Sequence, residues 1–135
     1  MLIWAWRADQ CRALGAVFAA GEELAFLEEE GGKRFLLLPQ AVKLLNVAHS
    51  TLRDNLRTLG LGVVEEKRPA VMNRLRTLGV LKKTAPRVSL VAICDLEATM
   101  KKQLGRSDLA KELRALRKAK APRQDGTDSE KSNSR

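Results

Sequence analysis

Leu24, Phe26 and Leu27, then Phe35 to Leu38, form two short apolar runs with the polar stretch Glu28-Glu29-Glu30-Gly31-Gly32-Lys33 between them. Strand-length runs joined through Gly-Gly predict a β-hairpin, with strands over Glu22 to Glu30 and Lys33 to Leu38. Pro39 stops the second strand and suits the first position of a helix, where its missing N–H costs nothing; Ala41, Val42, Leu44 and Leu45 give that helix a face to bury. The spacing stays helical beyond it. Leu52, Leu56 and Leu59 recur at i, i+4 and i+7, His49-Ser50-Thr51 offers N-cap chemistry, and Gly60 supplies a stop. After a short strand, Gly62 to Glu66, Pro69 opens another helix whose apolar face is Val71, Met72, Leu75 and Leu78, with Gly79 behind it.

The β-prone run Val88 to Ile93 predicts a strand, and Leu96, Met100 and Leu104 predict a helix from about Asp95. Gly105 breaks that helix, and Ser107 is placed to cap a further one bearing Leu109, Leu113 and Leu116. Leu37, Leu52, Leu56, Leu75, Leu78 and Leu90 are expected to share one core. The segment L-R-T-L-G occurs at 56–60 and again at 75–79. Two copies are too few for a solenoid, so the echo reads as two helices ended by the same device. Ahead of the hairpin, Trp4, Leu14, Val17 and Phe18 fit either a short amphipathic helix or a poorly packed leader. The organisation expected is a leader at 1–21, a folded α+β unit at 22–104, a basic amphipathic helix at 105–121 and a disordered polar tail at 122–135.

Composition sharpens this in one respect. The 135 residues carry a formal charge of +9, unevenly distributed: residues 1–30 hold two basic and six acidic side chains, residues 31–104 fourteen and five. The positive charge therefore belongs to the folded middle and to the segment behind it, a distribution expected of a nucleic-acid binder. Arg7, Asp9, Gln10 and Arg12 interrupt the apolar start that a signal peptide needs, and no window is long enough to span a bilayer. Two cysteines make no disulfide framework, which fits a reducing intracellular compartment.

Catalytic and metal chemistry find few candidates. His49 is the single histidine, too few for a zinc finger or a Ser-His-Asp triad. Cys94, just before a helix, is either a thiol of depressed pKa or a small residue at a strand-to-helix junction. Neither Gly31-Gly32 nor Gly60-Leu61-Gly62 has the spacing of a phosphate loop. No nucleophile, base and orienter assemble, so the expectation is a binding protein without cofactor or metal.

The basic candidates are Arg53 and Arg57 on one predicted helix, Lys67, Arg68, Arg74 and Arg76 around the next, and Lys82, Lys83 and Arg87 on the turn beyond it. Such a set reads as a phosphate-tracking face, with Asn73 and Arg74 the residues suited to reach base edges. Stacking aromatics are missing from this segment, which disfavours unpaired RNA. Lys111, Arg114, Arg117, Lys118, Lys120 and Arg123 form a second basic group. It reads as a nuclear-import signal, an extension of the binding surface or a solvated helix.

Three landmarks lie in order along the chain: G-G-K-R-F-L-L-L-P-Q at 31–40, L-R-T-L-G-V-L-K-K-T-A-P-R-V-S-L at 75–90 and C-D-L-E at 94–97. Together they resemble the Ski/Sno/Dac domain over roughly residues 22–104: its hairpin and Leu-Pro-Gln entry, its helix, Gly-Val-Leu turn, Ala-Pro step and strand, and the acidic start of its last helix. The resemblance implies a winged-helix-like α+β domain of a nuclear transcriptional co-regulator, mostly of corepressor type. Members related to Dachshund contact DNA through a basic face, whereas those like Ski and Sno chiefly bind protein partners. It implies duplex DNA and corepressor proteins as partners, or alternatively a protein-interaction scaffold without DNA contact. Smad4 binding is not expected, because the zinc-bearing segment that follows the domain in Ski and Sno has no counterpart here.

Overall fold

Gly31 and Gly32 both adopt positive φ, 89° and 83°, and close the hairpin between β2 (Glu23–Glu28) and β3 (Arg34–Leu37). The computed structural model describes residues 2–8, 18 and 21–119. Before the hairpin comes β1 (Leu2–Arg7); after it come α1 (Leu38–Leu45), α2 (His49–Thr58), β4 (Val64–Glu66), α3 (Pro69–Thr77), β5 (Val88–Ala92), α4 (Ile93–Lys102) and α5 (Ser107–Lys118). The fold is mixed α+β: five strands pair antiparallel throughout, in the order β1-β2-β3-β5-β4.

The sheet is covered on both faces, and strand alternation divides the core in two. Trp4, Leu24, Phe26, Leu36 and Val91 point to the face covered by α1, α2, α4 and α5, where they meet Leu44, Leu52, Leu56, Leu96, Met100 and Leu113. Ile3, Leu27, Phe35, Leu37 and Leu90 point to the other face and meet Val71, Met72 and Leu75 of α3. The single core expected from the sequence is therefore split. Leu52 and Leu56 lie on one side of the sheet, and Leu37, Leu75 and Leu90 on the other, with Leu78 at the margin.

Residues 2–7 are neither helix nor loose leader. They form a full strand, in register with β2 from Leu2↔Glu28 to Arg7↔Glu23. Trp4 is 0% exposed and stacks on Phe26 at 6.0 Å, with the Arg34 guanidinium 5.0 Å above its ring. Leu14 and Val17, the other half of the expected helix, lie outside the described residues, as do Cys11, the end of the basic helix at 120–121 and the polar tail.

The repeated L-R-T-L-G has a common physical cause. In α2, Gly60 N–H donates to Arg57 O and Leu61 N–H to Leu56 O; in α3, Gly79 N–H donates to Arg76 O and Val80 N–H to Leu75 O. Both are Schellman stops, and the glycines take the left-handed φ of 74° and 78° that these require. Asn46 ends α1 in the same way at φ 54°. The helix starts differ from expectation. Ala48 and Arg106 hold the N-cap positions of α2 and α5, so His49 and Ser107 fall one residue inside, and no side chain caps either helix.

Candidate nucleic-acid interface

The register Glu66↔Val88 brings the end of β4 beside the start of β5, so Lys67 and Arg87 leave the sheet at the same corner. Glu66 is 4% exposed there, and its carboxylate accepts three hydrogen bonds from Arg68: backbone N–H at 2.9 Å, Nε at 2.9 Å and Nη2 at 2.7 Å. These bonds outweigh burial and hold the Glu66 carboxyl below its ordinary range, while the Arg68 guanidinium is raised by the same partner. Pro69 then starts α3. Val71, Met72 and Leu75 go inward, leaving Asn73 and Arg74 exposed.

Arg76 faces the turn beyond α3. Its Nη2 donates to Ala85 O at 2.7 Å and its Nη1 to Asn73 Oδ1 at 3.0 Å, while Nε is buried without a partner among the described residues. Ala85 N–H donates in turn to Lys82 O at 3.2 Å, and Arg87 pairs with Glu65 at 3.0 Å. Residues 80–87 are therefore tied to α3 in the middle and to β4 at the end. Lys67, Lys82 and Lys83 are exposed and form no ion pair among the described residues. The chemistry on offer is exposed ammonium groups on flexible stems, carried by a braced backbone and suited to phosphate oxygens.

The ten candidates do not form one surface. Arg53 and Arg57 sit on α2, whose Leu52 and Leu56 pack on the face of the sheet opposite α3; Arg57 lies 3.5 Å from Asp54, and both are exposed. Arg76 is bound to backbone, and Arg68 and Arg87 are matched by glutamates, so the seven cations around α3 have unequal roles. Of the second group, Lys111, Arg114, Arg117 and Lys118 lie on α5, an amphipathic helix as expected, whose Leu113 and Leu116 are in the core. Arg117 hydrogen-bonds Glu97, which raises its pKa, and Arg114 lies 3.5 Å from the same carboxylate. Lys120 and Arg123 lie outside the described residues.

Cys94 is exposed at the start of α4, yet partial desolvation of its thiol and the neighbouring Asp95 carboxylate push its pKa up. Of the two readings of Cys94, this direction favours the small residue at a strand-to-helix junction. Among the described residues no cluster of His, Cys, Asp and Glu could hold a metal, and no helix is long and apolar enough to cross a membrane. A groove of about 400 Å³ runs between β1 and α3, lined by Leu2, Ile3, Arg68, Ala70, Val71 and Arg74. Sequence reasoning misses this groove, because it assigns no strand to residues 2–7. No family model, curated protein or solved structure matches the chain at a significant level.

Proposed function

We propose that this protein binds duplex DNA through α3 and residues 80–87, and that it serves as a nuclear transcriptional co-regulator of corepressor type, as its Ski/Sno/Dac-like landmarks suggest. The observation that carries the DNA contact is the Arg76 brace. A turn fixed to α3 through Ala85 holds Lys82 and Lys83 on the same support as Lys67 and Arg74. A turn whose backbone is already held has less freedom to lose on meeting phosphate, and each phosphate neutralised releases counterions. On this reading α3 and its turn act as the helix and wing of a winged-helix-like unit, and both approach one duplex backbone. Asn73 and Arg74, on the exposed side of α3, are the residues that reach base edges.

A panel of duplexes tests this. Wild-type protein binds at low salt, and Arg74→Ala costs about 1–3 kcal/mol at one base position while leaving the others alone. Absence of measurable duplex affinity at low salt would remove the DNA contact. The second reading, a protein-interaction scaffold, is favoured by the groove beside Leu2, a residue that is 49% exposed. Partner binding there would survive high salt, because apolar contact is not screened.

A further inference from the structure

Helices α4 and α5 carry a second basic surface, on the opposite side of the sheet from α3. Leu96, Met100, Leu113 and Leu116 share the core beneath the two helices, which leaves Lys101, Lys111, Arg114 and Lys118 exposed. On α5 the last three recur at i, i+3 and i+7, a single stripe along the helix. Glu97 fixes how that stripe meets α4, since Arg114 approaches it at 3.5 Å and Arg117 hydrogen-bonds it. The short connection at 103–106 makes the two helices antiparallel. Lys101 lies one turn beyond Glu97 and Lys111 about one turn before Arg114, so the two come level. Residues 93–119 hold seven basic and four acidic side chains, so three cations are in excess even if every acid is matched.

The sheet separates this stripe from the α3 side. Two helix layers and a sheet stack to roughly 30 Å. Duplex DNA has a persistence length of about 150 base pairs, so a short straight duplex lying on one face does not reach the other. We propose that the protein is bivalent for duplex DNA: α3 and its turn take one duplex, and Lys101, Lys111 and Lys118 take the phosphates of a second, so that one molecule bridges two segments. This rests on the DNA-binding reading above and adds a second site to it.

The test uses duplexes of about 20 base pairs, too stiff to wrap the protein. One duplex is immobilised, full-length protein is added, and capture of a second, fluorescent duplex is measured at low salt. Wild-type protein captures it. The triple variant Lys101→Gln, Lys111→Gln, Lys118→Gln keeps its affinity for the first duplex within about threefold and captures about tenfold less of the second. An unchanged thermal midpoint confirms that the variant is folded, as expected for substitutions at exposed positions. First-duplex binding with no capture by wild-type protein would overturn bivalency alone. Capture undiminished in the triple variant would overturn the assignment to α4 and α5, and would point to paired copies of the α3 face. Failure to bind the first duplex would remove both readings.

Discussion

Arg76 and Ala85 are joined by a 2.7 Å hydrogen bond from guanidinium to carbonyl oxygen, across the gap between a helix and the turn beyond it. The same guanidinium reaches Asn73 Oδ1, so one side chain ties the middle of the turn to the exposed side of α3. Lysine cannot reproduce this fork. Arg76→Lys and Arg76→Ala are therefore expected to behave alike: amide exchange over 82–87 quickens, stability falls by about 1–2 kcal/mol, and duplex binding weakens. Full duplex affinity in the lysine variant would make Arg76 a point charge on phosphate and not a brace.

Trp4 tests the β1 edge of the sheet. Its ring is buried against Phe26 and beneath Arg34, while Nε1 has no partner among the described residues. Trp4→Ala should cost about 3–5 kcal/mol in chemical denaturation. Trp4→Phe should cost much less, because it removes an unsatisfied N–H together with part of the ring. A Trp4→Ala midpoint equal to that of wild type would return residues 2–7 to the status of a dispensable leader.

Much of this fold is legible in residues 22–104. Gly31-Gly32 marks the hairpin, Pro39 and Pro69 the helix starts, and Gly60 and Gly79 the stops, because each of these depends on local backbone chemistry. β1 is harder to see. Trp4 and Trp6, two residues apart, are a strand signal, but the neighbouring apolar residues up to Phe18 suggest a helix instead. The division of the core is also invisible, since helical spacing shows that Leu56 and Leu75 are buried and not on which side of the sheet. For the same reason Arg53 and Arg57 group with α3 in the sequence and part from it in the fold. Arg76 reads as one more surface cation, because its partner Ala85 is a backbone carbonyl nine residues away and leaves no mark in composition.

Glu66 gives the protein a pH dependence with a defined sign. Its folded pKa is depressed by Arg68 below the ordinary value of 4.5. The stabilisation is thus fully present above about pH 4.5 and is lost as pH falls through the folded value. Glu66→Gln is expected to lower stability by about 1–3 kcal/mol at neutral pH, and the gap to wild type should close progressively in acid. Denaturation curves from pH 7 down to about pH 3 measure this. A gap that stays constant over that range would assign the loss to packing and not to the ion pair.

The DNA-binding reading depends above all on Lys82 and Lys83, exposed on the braced turn and unpaired among the described residues. The salt dependence of duplex binding, measured for wild type and for Lys82→Ala, Lys83→Ala together, examines them most directly. Removing two ammonium groups from phosphate should lower the slope of log affinity against log salt by about 2 and weaken binding to every duplex alike. An unchanged slope, or a loss confined to particular sequences, would contradict the assignment of this turn to the phosphate backbone.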